Sequence, residues 1–82
     1  MKKVVLLEPA VKALHKHRNV AERILQKLET YAENPSALSN QVLALRGARG
    51  KRLRVGDFRI LFEETETEII VFDLGPRGSI YD

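Results

Sequence analysis

The sequence predicts an α+β protein: an N-terminal strand, then a helical hairpin packed on a small twisted antiparallel sheet. Three observations lead there. Lys3–Glu8 is rich in Val and Leu and has the composition of a strand. Between residues 10 and 33 apolar side chains return at helical spacing. From Arg52 to Phe62 apolar and basic residues alternate about Gly56-Asp57, the pattern of a β-hairpin with one apolar face. A chain of 82 residues is expected to make one domain spanning 1–82.

The elements follow in order. Pro9 suits a first helical position, where its missing N–H costs nothing, so a first helix is expected over about Ala10 to His17. Asn19 with Glu22 three residues on reads as an N-cap and capping box for a second helix. Val20, Ile24, Leu28 and Tyr31 mark its apolar stripe, widened by Leu25 and Ala32. Glu22, Lys27, Glu29 and Glu33 fill its other side, and Asn34-Pro35 ends it. Pro35 to Leu45 is a connector, with Leu38, Val42, Leu43 and Leu45 expected against the core.

Gly56 at the first central position predicts a type II′ turn, which sets Val55 opposite Phe58, Arg54 opposite Arg59, Leu53 opposite Ile60 and Arg52 opposite Leu61. Leu53, Val55, Phe58, Ile60 and Phe62 then share one face, and Arg52, Arg54 and Arg59 emerge on the other. Ile69 to Leu74 is a nearly continuous apolar run, as expected of a central strand, Gly75 to Gly78 a turn, and Ser79 to Asp82 a short last strand.

Charge is segregated. Net charge is +3, and the pI is about 9.5. Arg46, Arg49, Lys51, Arg52, Arg54 and Arg59 share their stretch with one acid, Asp57, whereas five acids and no base lie between Glu63 and Asp73. One face should carry a positive field. Three guanidinium groups on a sheet face make a phosphate site, since each grips two phosphate oxygens at once. The same pattern describes a solvated outer face whose arginine stems cover apolar surface. The residues alone leave both readings open. His15 and His17, at i and i+2 of a helix, point to different faces and form no metal or general-base cluster. Without cysteine there are no disulfides or thiolate metal sites, and no metal or cofactor is expected. The apolar run after Met1 stops at Glu8-Pro9, too short for a signal peptide, so a cytoplasmic protein is expected.

Three blocks, Leu45-Arg46-Gly47, Arg52-Leu53-Arg54-Val55-Gly56-Asp57-Phe58-Arg59-Ile60 and Gly75-Pro76-Arg77-Gly78-Ser79-Ile80-Tyr81, resemble the RelE/ParE toxin superfamily, as does the order of elements. The resemblance implies a type II toxin whose RelE-like members cut mRNA at the ribosome without metal, by attack of the 2′-hydroxyl on the adjacent phosphate. It implies catalytic roles for Arg52, Arg54, Arg59, Arg77 and Tyr81, the arginines holding phosphate and the tyrosine stacking on a base. Arg46, Arg49 and Lys51 are expected RNA contacts. The implied partners are an antitoxin, the ribosome and mRNA. ParE-like relatives instead inhibit DNA gyrase, and an inactivated member would bind only antitoxin or RNA. This chain departs from the common pattern in two respects: Pro76 stands where many members have His, and arginine, which stays protonated, stands at strand positions that elsewhere carry lysine.

Overall fold

A computed structural model describes residues 1–45, 47 and 49–80. Two layers form it. Strands β1 (Lys3–Leu6), β2 (Val42–Ala44), β3 (Lys51–Val55), β4 (Phe58–Glu64) and β5 (Glu68–Pro76) make one sheet, in the order β1-β5-β4-β3-β2. Helices α1 (Glu8–Lys16) and α2 (Arg18–Glu33) cover one of its faces, and a 3-10 helix, Pro35–Gln41, leads into β2. No helix among the described residues is long and apolar enough to cross a membrane.

The hairpin register is the one expected from alternation, with Arg54 opposite Arg59 and Leu53 opposite Ile60. Gly56 has φ +58°, and no non-glycine among the described residues, Asp57 included, has positive φ, as a type II′ turn requires. Leu53, Ile60 and Phe62 pack with Ile24 and Leu28 of α2 and with Ile69 and Val71 of β5 in the core between the layers. Tyr31 meets Phe62 edge to face at 5.2 Å, and His17 meets Phe58 at 4.9 Å, which gives His17 a packing role.

Several expectations are corrected. The sheet is mixed: β1 lies parallel to β5 at one edge, while the other pairings are antiparallel. The capping box is absent, because α2 starts at Arg18 after a one-residue break at His17 and leaves Asn19 inside the first turn. The connector is ordered as the 3-10 helix and β2, with Leu38 buried but Leu43 exposed at the sheet edge. Strand β5 continues through Gly75 to Pro76 instead of turning there. Ser79 and Ile80 form no strand; the Ser79 N–H and hydroxyl both donate to the Pro76 carbonyl, which closes a tight turn.

One irregularity aims the core residues of β5. Leu61 pairs with Asp73 but Phe62 with Val71, so Phe72 is the extra residue of a β-bulge. The bulge lets both Val71 and Leu74 face the helices although they lie three positions apart.

Candidate functional site

The groove forms where strand pairing stops. β2 ends its pairing at Val42 opposite Leu53, so no β2 residue lies beside Arg54 and Val55. A hollow of about 500 Å³ opens there, lined by Lys27, Gln41, Arg54, Val55, Gly56, Asp57, Arg59 and Arg77. A smaller one of about 80 Å³ adjoins it through Gln41, Arg54 and Arg59 and adds Asn40, Leu43 and Arg52. Five cations from α2, β3, β4 and the C-terminal turn therefore surround one groove, and Asp57 is the one acid among its described lining residues.

Each arrives for a local reason. Arg52 and Arg54 alternate with core-facing Leu53 and Val55, so they project from the outer face. Arg59 shares that face but is buried, only 8% exposed, and its Nη1 atom is sealed from solvent. The chain returns beside its strand partner: Gly75 pairs with Arg59, and Ile80 lies 3.5 Å from where a Gly75 Cβ would stand. The same return brings in Arg77, whose backbone N–H donates to the Asp57 carbonyl at 2.6 Å and ties the C-terminal turn to the hairpin turn. Arg52 and Arg59 both engage further groups.

Lys27 and Gln41 were missed by the sequence reading. Periodicity puts Lys27 on the side of α2 away from the apolar stripe, yet it is half-buried, and its Nζ donates to Gln41 Oε1 at 3.4 Å. Arg23, one turn before Lys27, reaches the hairpin, where its guanidinium would lie 2.7 Å from a Cβ at Gly56. The one signal available was the i, i+4 spacing of two bases among Glu22, Glu29 and Glu33.

The remaining expected residues divide. Arg49 is exposed in the loop before β3 and does not line the groove. Lys51 also lies outside it and is paired with Glu64 at 2.8 Å. Tyr81 and Arg46 lie outside the described residues.

Glu64 anchors a second polar cluster. Its Oε1 accepts from the Tyr31 hydroxyl at 2.6 Å and from Lys51, and its Oε2 accepts from Lys2 at 2.6 Å. Burial pushes the Glu64 carboxyl up, but the hydrogen bonds from Lys2, Lys51 and Tyr31 outweigh it and hold the pKa at about 2. Burial, with the bond to Glu64, raises the Tyr31 phenol; the bond to Glu64 raises Lys51.

The fold is shared with solved toxins. The archaeal RelE–RelB complex from Pyrococcus horikoshii OT3 contains a chain that matches over 96% of this one and 98% of its own length, with TM-score 0.75 and 24% identity. The RelBE2 toxin–antitoxin complex from Mycobacterium tuberculosis matches over 93% and 98%, with TM-score 0.64 and 22% identity. Helices on one face of this sheet thus build the fold found in these toxin–antitoxin complexes. The family model described as the ParE toxin of the type II toxin–antitoxin system parDE matches residues 4–81, and the chain belongs to that family. Comparison with curated proteins gave no match.

Proposed function

We propose that this toxin is an mRNA endonuclease acting at the ribosome, and that a cognate antitoxin neutralises it. The supporting observation is the convergence of Arg52, Arg54, Arg59 and Arg77, drawn from two strands and a later turn, on one groove with Lys27. Attack of a 2′-hydroxyl on the neighbouring phosphate builds negative charge on the non-bridging oxygens. Fixed guanidinium groups stabilise that charge best when little reorganisation is needed. Arg59, buried and enclosed, is the most firmly placed of them. A groove of about 500 Å³ has room for a nucleotide unit with its phosphate against the arginines. The relatives with this fold were solved as complexes with antitoxins, which supports an antitoxin partner here. A segment of it that reaches the groove should be acidic.

The ParE description of the matching family model favours a second reading, inhibition of DNA gyrase without RNA cleavage. Induced expression separates the two. The nuclease predicts new mRNA 5′ ends at ribosome-occupied sites, lost in Arg77→Ala. The gyrase inhibitor predicts DNA-damage signalling and filamentation with mRNA left intact, and that result would overturn the nuclease.

A further inference from the structure

Cleavage by 2′-hydroxyl attack needs more than charge stabilisation. As the P–O5′ bond breaks, the 5′-oxygen leaves as an alkoxide unless a proton reaches it. Guanidinium groups stay protonated, so Arg52, Arg54, Arg59 and Arg77 stabilise charge but are poor proton donors. Two other ionisable side chains line the described groove, Lys27 and Asp57. Asp57 is exposed at the hairpin turn, and an ionised carboxylate only accepts. Lys27 carries an ammonium with three protons. It directs one toward Gln41 Oε1 at 3.4 Å, which leaves others to face the groove.

Its placement fits the geometry of displacement. Attacking and leaving oxygens lie roughly in line through phosphorus, so groups that serve them must come from different walls. Arg54 and Arg59 come from the sheet and Arg77 from the C-terminal turn, whereas Lys27 descends from α2 on the helix side. Gln41, at the end of the 3-10 helix, lines both hollows and holds the Lys27 ammonium.

Building on the nuclease reading, we propose that Lys27 is the proton donor to the leaving 5′-oxygen and that Gln41 is its positioning residue. In this step the 2′-oxygen bonds to phosphorus and gives its proton to water. The P–O5′ bond breaks, its electron pair stays on O5′, and that oxygen takes a proton from Lys27 Nζ. The products are a 2′,3′-cyclic phosphate and a 5′-hydroxyl. Lys27 then recovers a proton from solvent, and the enzyme is unchanged.

A leaving group that needs no proton tests this directly. Ribosomes are programmed with mRNA carrying either the natural linkage or a 5′-bridging sulfur at the cleavage position, since a thiolate departs unaided. Lys27→Arg and Lys27→Gln should melt like wild type and Lys27→Arg should keep wild-type RNA affinity. Both should cleave the natural linkage about 10²- to 10⁴-fold more slowly and the sulfur linkage at near the wild-type rate. Gln41→Leu should lower kcat with KM unchanged, and sulfur should restore it. Wild-type rates in both Lys27 variants on natural RNA, or equal slowing on the two substrates, overturn the role of Lys27. Wild type that cleaves neither substrate removes the nuclease reading itself and this proposal with it, a result distinct from the other two.

Discussion

Glu64 and Arg59 lie on the same strand, on opposite faces, and their surroundings are opposite in kind. On the helix side, Glu64 collects Lys2, Lys51 and Tyr31, so each of its oxygens is hydrogen-bonded and its charge is matched. On the outer face, Arg59 is buried beneath a groove with four other cations and a single described acid at the rim. Lys27, Arg54 and Arg77 make no ion pair among the described residues. The first cluster has the form of a structural fastening, linking the residue before β1 with α2, β3 and β4 through one carboxylate. The second concentrates like charge, which raises the energy of the free protein and falls when an anion arrives. One strand thus carries a paired carboxylate on one face and faces a concentration of positive charge on the other.

That contrast predicts separable mutants. The largest effect should come from the groove: Arg77→Ala removes an exposed guanidinium, and single-turnover cleavage on programmed ribosomes should fall about 10²- to 10³-fold. Its melting temperature should match wild type, because Arg77 is exposed. Arg59→Ala should lose as much activity but also lower the melting temperature, since truncating a buried side chain leaves a void. Full activity in both variants would remove the groove from the mechanism.

The Glu64 cluster should respond in the reverse sense. Glu64→Ala leaves the half-enclosed Lys2 and the buried Tyr31 hydroxyl without their acceptor and should cost about 2 kcal/mol in urea unfolding. RNA affinity should stay at the wild-type value. A parallel loss of affinity would show that the two faces are coupled after all.

The same cluster sets an acid dependence. The folded carboxyl titrates at about 2, below its ordinary value of 4.5. A depressed carboxylate contributes stability that is complete above the unfolded value and disappears as pH falls through the folded one. The stability difference between wild type and Glu64→Gln should therefore be constant near neutrality and shrink from about pH 4.5 toward pH 2. A difference unchanged across that window would mean that the hydrogen bonds do not depend on the charge.

How much of this was readable in the chain depends on the range of the contacts. The hairpin register was legible because both strands carry their apolar residues on one side of the Gly56-Asp57 turn, and a one-residue slip would bury arginine in the core. The outward direction of Arg52 and Arg54 followed from that alternation. The parallel pairing of β1 with β5 joins residues more than 60 positions apart, and nothing local encodes it. The bulge at Phe72 was hidden because Ile69 to Phe72 is apolar on both faces, so alternation gives no register there. Lys27 was not legible because helical periodicity locates the core stripe but not which loop lies against the polar flank; here the 3-10 helix brings Gln41 to it. Ile80 reaches Gly75, the partner of Arg59, because the chain folds back after β5, whereas the sequence suggests a short strand from Ser79.

The smallest predicted effect probes the contrast most directly. Arg54 and Arg59 face each other across the hairpin, one step from the turn. The pair next to the turn is hydrogen-bonded, so this one is of the non-hydrogen-bonded kind, whose side chains approach more closely. Like charges so placed cost roughly 0.2–1 kcal/mol. Arg54→Gln keeps the polarity and most of the length of the side chain but removes the repulsion. It should stabilise the fold by about 0.5 kcal/mol, a rise of about 2–4 °C in melting temperature for a domain of this size. The same variant should bind single-stranded RNA more weakly, with a log–log salt slope shallower by about 0.7 for the lost phosphate contact. Stability and affinity moving in opposite directions is the signature of charge held in place for a ligand. If Arg54→Gln destabilises the protein, the groove cations are already compensated within the fold, and the two faces of the sheet differ less than their geometry implies.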